Sequence, residues 1–396
     1  MELIRRGSTG PIVAEIRSKL GALGFLGDPS ATEHDDAVFD DACDRAVRGF
    51  QQERGLRVDG IVGPETYRAL DEARWRLGDR VLSHGASRLF VGDDVAELQH
   101  RLLQLGFDPG RCDGMFGSRT EAALREFQRN IGLPADGTCG PRTLKALHRL
   151  ARTVVGGSPE RIREEEQLLA AGPTPAGKFV VIDPGHGGDD PGGEGHGLAE
   201  AAVVWDLANR LEGRLGATGV TAFLTRGPDA NPSDSDRAAF ANEAHADLFL
   251  SLHVDRGSSP KCHGAATYYY GTAERQPAKA QPVQVSGRPH ARSRGTGSAV
   301  GARLAGLIQH ELTERTDLLD CRTHPKTWEL LRLTRMPAVR VEVGYLSHAG
   351  DAARLASPEF RDTVAEGIVA AVHRLYLTPE LEELRSAGSA GLAAAG

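Results

Sequence analysis

Four residues in this sequence have the types and placement to do chemistry together: His186, Glu200, His253 and Glu342. The stretch VVIDPGHGGDDPG, residues 181 to 193, sets His186 on a Gly- and Pro-rich turn just after the hydrophobic run Phe179 to Ile182. Such a turn holds a side chain at the rim of a sheet, where catalytic and metal-binding groups concentrate. Glu200 opens the stretch EAAVVWDLANRLEGRLGA, His253 ends DLFLSLH, and Glu342 lies within AVRVEVGYL. Two imidazoles and a carboxylate suit zinc, which takes nitrogen and oxygen ligands and keeps a fourth position for water in catalytic sites. The ion lowers the pKa of that water toward ~7. A second carboxylate can then accept the proton and return it to a leaving amine. No HExxH pair places two ligands on one helix. Taken singly, each histidine suits a structural role better than a ligand's. What links them is position, since predicted strand ends can converge on one edge of a parallel sheet.

The elements that would position these groups follow from pattern. From Lys178 onward, short hydrophobic runs alternate with longer amphipathic stretches. FVVID, VTAFLTR, DLFLSLHVD, AATYYY and AVRVEVGYL are predicted strands. The stretches beginning at Glu200, Ser233, Gly297 and Ser357 are predicted helices. That alternation predicts an α/β domain with helices on both sheet faces. Residues 271 to 297, rich in Gly, Pro and Arg, read as a long loop.

The first 150 residues are organised differently. GFQQERGLRVDGIVGPETYRAL (49 to 70) and EFQRNIGLPADGTCGPRTLKAL (126 to 147) align on Phe-Gln, Gly-Leu, Asp-Gly and Gly-Pro pairs. Each copy reads as three short helices. Val13, Ile16 and Leu20 keep the i, i+3, i+7 spacing of an amphipathic helix, and Asp-Gly and Gly-Pro mark tight turns. Pro64 and Pro141 fall where a first helical turn tolerates a missing N–H. The expected organisation is therefore two small three-helix domains (1–75 and 86–150), a linker (151–177), an α/β domain (178–377) and a flexible tail (378–396). Within the linker, SPERIREEEQLLAAG predicts a charged helix with Ser158 as N-cap and Pro159 at its first position.

Two resemblances sharpen this reading. The pattern FQ-x3-GL-x2-DG-x2-GP-x-T resembles the peptidoglycan-binding repeat, a small wall-binding domain. VVIDPGHGGDDPG, the context of Glu200, ADLFLSLHVD and MPAVRVEVGYLSH, in that order, resemble the zinc-dependent N-acetylmuramoyl-L-alanine amidases of the third amidase type over about residues 178 to 376. With the two repeats, the whole chain resembles the CwlM-type actinobacterial proteins. The amidase resemblance implies a mixed sheet flanked by helices, zinc ligation by His186, Glu200 and His253, and Glu342 as the catalytic carboxylate. It implies hydrolysis of the amide between muramic acid and L-alanine in peptidoglycan or muropeptides.

It also sets an alternative: a cytoplasmic regulator of peptidoglycan precursor synthesis built on the same fold. Such a protein would partner the first committed enzyme of that pathway and a Ser/Thr kinase, with Thr378 the candidate phosphosite or, equally, a helix-capping residue. Asp183 reads equally as a buttress of the His186 turn or as a plain turn residue, and Arg226 and Arg237 as braces. His196 and His263 match no ligand position. Two departures from the family pattern bear on the base: Asp255, where Asn is usual, and Arg340, where a hydrophobic residue is usual. Residues i and i+2 of a strand share a face, so Arg340 and Glu342 should point the same way, roughly 6–7 Å apart, and a nearby cation favours the ionised carboxylate.

Bulk properties limit the remaining classes. Hydrophobic content of 40% and charged content of 26% fit a globular protein. A net charge of −7 argues against general nucleic-acid binding, which neutralises phosphates with Lys and Arg. No apolar run approaches the ~20 residues of a membrane span, and the N-terminus lacks the apolar stretch of a signal peptide. A cytoplasmic location is the expectation. The five cysteines are odd in number with no CxxC pair, which fits free thiols.

Overall fold

The computed structural model describes residues 3–26, 37–85, 89–150, 159–257, 259–271 and 297–377. Most of the expected 271–297 loop, together with Ser158, Thr378 and the tail, lies outside the described residues. The chain forms two compact units that divide near residue 160. Among the described residues no helix is long and apolar enough to cross a membrane.

The first unit contains the helices α1 (Pro11–Ala22), α2 (Asp41–Glu53), α3 (Pro64–Ala73), α4 (Asp93–Gln104), α5 (Ser118–Asn130) and α6 (Pro141–Leu150). They gather as two triplets, each with its own core. One is built on Val13, Ile16, Leu20, Phe50 and Leu70, the other on Val95, Leu98, Leu102, Phe127 and Leu147. Pro64 and Pro141 open α3 and α6, as their fixed φ allows. The paired Phe-Gln motif has a physical role. Buried Gln51 accepts from the amides of Asp59 and Gly60 and donates to the Asp59 carboxylate, the Ile61 carbonyl and Thr66. Gln128 repeats this with Asp136, Gly137, Thr138 and Thr143. One amide side chain thus satisfies a whole Asp-Gly turn that could not otherwise be buried.

The second unit begins with α7 (Pro159–Ala170), followed by β1 (Phe179–Pro184), β2 (Glu194–Gly195), β3 (Leu198–Ala199) and α8 (Glu200–Ala217). Next come β4 (Thr221–Leu224), α9 (Asp234–Glu243), β5 (Leu248–Asp255), β6 (Ala265–Tyr270) and α10 (Ala299–Arg315). The chain ends with β7 (Asp320–Lys326), α11 (Glu329–Leu333), β8 (Ala338–Tyr345), α12 (Ala349–Ala356) and α13 (Pro358–Tyr376). Six strands form one sheet in the order β4-β1-β5-β8-β6-β7. The first four are mutually parallel, β6 runs antiparallel to β8, and β7 is parallel to β6. The sheet is therefore mixed, with helices on both faces.

Strands β1, β5 and β8 are buried on both sides, which explains their near-continuous apolar composition. One face packs Ile182, Leu250, Leu252 and Val341 against α8, α10 and α13 through Leu207, Leu211, Ile308 and Ile368. The other packs Val181, Phe249 and Ala338 against α9 and α11 through Ala241, Leu330 and Leu331. Each fully buried side chain of this size contributes roughly 1.5–3 kcal/mol. Helix α7 is docked rather than free. Glu164 accepts from Ser298 Oγ and the Val300 amide at the start of α10, and Leu168 packs on the main core.

A candidate metal centre at the sheet edge

The carboxyl halves of β1, β5 and β8 lead to or carry His186, His253 and Glu342, and the start of α8 carries Glu200. β1 ends at Pro184, and the chain then turns through Gly185 and His186. A Cβ at Gly185 would collide with the His253 ring, so only glycine lets the two strand ends approach. His186 itself lies in the left-handed region, φ 57°, a conformation that costs of order 1–3 kcal/mol and needs support. Two buried arginines supply that support. Arg226 donates to the carbonyls of Pro184 (2.7 Å) and Gly185 (3.0 Å). Arg237 donates to those of Pro184 (2.9 Å) and His186 (2.9 Å).

Arg237 is fixed in turn by Asp183, fully buried, at 2.7 Å. Ser251 and Thr225 donate to the same carboxylate at 2.8 and 2.5 Å. Asp183 is thus a buttress of the His186 turn, and Arg226 and Arg237 are its braces.

Glu200 is the first residue of α8, where the helix dipole favours a carboxylate. Its Oε1 accepts from the Val254 amide (3.1 Å) and lies 2.8 Å from His253 Nδ1. Its Oε2 accepts from the Gly193 amide (2.9 Å) and lies 3.3 Å from His186 Nε2. The potential ligand atoms of His186, Glu200 and His253 all lie within 4.8 Å of one another. The two imidazoles meet edge to face, centroids 5.3 Å apart.

His186 Nδ1 is engaged by Asp190 at 2.7 Å, which orients the ring and leaves Nε2 toward the cluster. A carboxylate behind a histidine is the usual support for a metal ligand. Burial works to raise the Glu200 pKa, but its hydrogen bonds with His186 and His253 outweigh it and hold the carboxyl well below the usual range. The bond to Glu200, opposed by burial, pushes His186 up to about 9. The cluster therefore draws positive charge to itself. Two nitrogens and a carboxylate, converging and largely buried, fit a divalent ion of the zinc type.

Glu342, on β8, is the register partner of His253 on β5 and is 3% exposed. Its Oε1 accepts two hydrogen bonds from Arg340, from Nε at 2.8 Å and Nη2 at 2.6 Å. Its Oε2 is buried with no hydrogen-bond partner among the described residues. Such an orphan is costly unless something polar meets it when the site is used. The expected cation beside Glu342 is therefore a bonded ion pair, with the guanidinium 4.8 Å from the Trp328 ring. Asp255 ends β5 and accepts from the Arg256 amide. Burial, then the charge of Glu342, raises its pKa.

His196, exposed at the β2–β3 turn, and His263, whose ring stacks on His348 at 4.7 Å, stand outside the cluster. Sequence reasoning missed Asp190 and Trp328. Asp190 had a signal, an acid four residues after His186 in HGGDD; Trp328 had none.

The sequence profile of the N-acetylmuramoyl-L-alanine amidase family matches residues 180–374, and that of the peptidoglycan binding domain matches 9–70 and 91–147. A relative from Mycobacterium tuberculosis (strain ATCC 25618 / H37Rv), "N-acetylmuramoyl-L-alanine amidase CwlM", is 46% identical over 385 residues, 95% of this chain and 90% of its own length. "N-acetylmuramoyl-L-alanine amidase LytC" of Bacillus subtilis (strain 168) is 31% identical over 192 residues, 48% of this chain and 34% of its own. Among solved structures, the amidase AmiC2 of Nostoc punctiforme is similar with a TM-score of 0.42 and 29% identity, over 50% of this chain and 97% of that one. The largely buried His–Glu–His cluster lies within the residues of the amidase match, and the chain belongs to the N-acetylmuramoyl-L-alanine amidase family.

Proposed function

We propose that the second unit is a zinc-dependent hydrolase of the amide between muramic acid and L-alanine in peptidoglycan or muropeptides. The observation that carries this is the convergence of His186, Glu200 and His253 within 4.8 Å, with Glu342 beside His253 in register. His186, Glu200 and His253 would hold the ion, which supplies a polarised carbonyl and a more acidic water. The chain's own residues do the rest. Asp190 fixes the His186 ring, and Arg226 and Arg237 hold its turn. Glu342 Oε2, which has no partner among the described residues, takes a proton from the attacking water and delivers it to the leaving nitrogen. Arg340 keeps Oε1 occupied, so only Oε2 is available for that transfer.

The test is incubation of the zinc-loaded protein with muropeptides beside Glu342→Gln and His253→Ala variants. Release of stem peptide with a free L-alanine amine, lost in both variants while Glu342→Gln still holds zinc, is the expected result. No release from zinc-loaded wild type overturns the reading.

The same proposal takes residues 1–75 and 86–150 as peptidoglycan-binding modules, 151–177 as a linker, 178–377 as the amidase domain and 378–396 as a tail. The profile matches support the modules and the amidase domain. A cytoplasmic location, and partnership with the first committed enzyme of precursor synthesis and with a Ser/Thr kinase, rest on the resemblance to CwlM-type proteins. Fractionation and phosphosite mapping at Thr378 test them.

A further inference from the structure

We propose that Arg340 is a specificity-determining residue that recognises a carboxylate on the substrate's peptide, on the amine side of the cut bond. The inference rests on the amidase reading above and adds what that site selects. Arg340 lies on β8 two residues before Glu342 and shares its face of the sheet. Its register partners are Ser251 on β5 and Tyr268 on β6, and Tyr268 in turn pairs with His324 on β7. The guanidinium is held from two sides. Trp328 covers it at 4.8 Å, and the Trp328 and Tyr268 rings lie 4.7 Å apart. Nε and Nη2 both go to one oxygen of Glu342. Among the described residues Glu342 is its ion-pair partner, and Nη1 makes no hydrogen bond to them. The side chain is 29% exposed, so this cation keeps an unspent N–H edge on the face of the sheet it shares with Glu342. An arginine held in place by an aromatic ring and an ion pair is well suited to binding a carboxylate in a fixed direction.

The contact selects the ligand. The guanidinium is bonded to the Glu342 carboxylate that serves the leaving nitrogen, so its Nη1 edge lies beyond that carboxylate by about the 3.3–3.6 Å that one residue of extended peptide covers. The residue that follows the released L-alanine therefore falls opposite Arg340. A second residue bearing a free carboxylate would pair with Arg340, and one bearing a carboxamide would forgo the ionic part of that bond.

Two dipeptides test this, each with N-terminal L-alanine and a second residue ending in either a carboxylate or a carboxamide. Calorimetry would measure their binding to the zinc-loaded full chain, to Arg340→Leu and to Arg340→Lys, with zinc content and circular dichroism confirming that each variant is folded and loaded. The acid should bind wild type about tenfold tighter than the amide. That ratio should fall close to one in Arg340→Leu and be partly kept in Arg340→Lys. Equal binding by wild type, a ratio that survives Arg340→Leu, or no binding of either peptide at millimolar concentration overturns the proposal. Cleavage by wild type against Glu342→Gln is read separately, so a failure of the amidase reading is told apart from a failure of carboxylate recognition.

Discussion

Replacing Asp183 with alanine should unfold the second unit more readily and loosen its metal site together. Asp183 is fully buried and is the ion-pair partner of Arg237, itself 3% exposed. Removing one member of a buried pair strands the other, at a cost of about 3–5 kcal/mol. The Ser251 and Thr225 hydroxyls lose their acceptor as well. Against a typical total stability of about 5–15 kcal/mol this is a large fraction. For a unit of this size each kcal/mol moves the midpoint by about 2–4 °C, so a fall of about 6–20 °C is expected. Arg237 also holds the His186 carbonyl, whose residue sits at φ 57°. A freed arginine no longer fixes that turn, and zinc affinity should fall about 10–100-fold. Thermal unfolding followed by circular dichroism and zinc titration with a competing chelator read the two effects. Asp183→Ala with Arg237→Met should recover part of the stability, because no charge is left stranded, but not the affinity, because the carbonyls stay unheld. A single variant within about 1 kcal/mol of wild type, binding zinc normally, would refute the reasoning.

Other outcomes follow from the same structure. Asp190→Ala removes the group behind His186 and should lower zinc affinity about 10–100-fold with little change in stability, since Asp190 is about half exposed. Zinc at about 100 times its dissociation constant should stabilise the protein by about 2.7 kcal/mol, raising the second unit's midpoint by about 5–11 °C. A His253→Ala variant should show no such rise in a thermal scan. Native protein should react with a thiol reagent at Cys262 and Cys321 only, by peptide mass mapping. Cys43, Cys112 and Cys139 are buried, and burial pushes Cys43 up to about 11 and Cys139 up to about 12. Gln51→Ala leaves the Asp59 and Gly60 amides without their acceptor and should cost about 1–3 kcal/mol, seen as faster hydrogen exchange at Gly60.

Much of this protein is written in local pattern. The Val13, Ile16, Leu20 stripe and the paired Asp-Gly and Gly-Pro turns define helices whose contacts are close in sequence. The apolar runs at Phe179, Leu248 and Ala338 became β1, β5 and β8 because strands buried on both faces need continuous apolar composition. β7, DCRTHPK, left no such signal. It is a half-exposed edge strand containing Pro325, and its place is set by pairing with β6 and not by its own hydrophobicity. The docking of α7 through Glu164 was equally silent, because its partners begin a helix more than a hundred residues away.

The site divides along the same line. Residue types and order named His186, Glu200, His253 and Glu342, since each lies at or near the end of a recognisable element or within a recognisable strand. That Arg340 and Glu342 share a face followed from the two-residue repeat of a strand. That the guanidinium spends two hydrogen bonds on one carboxylate oxygen under Trp328 did not, because rotamer and cover are fixed by neighbouring strands and α11. Likewise the sequence leaves Asp183 open between turn residue and buttress. Only the folded chain decides, because Arg237 reaches it from helix α9 and periodicity carries no information about which distant side chains will share a buried charge.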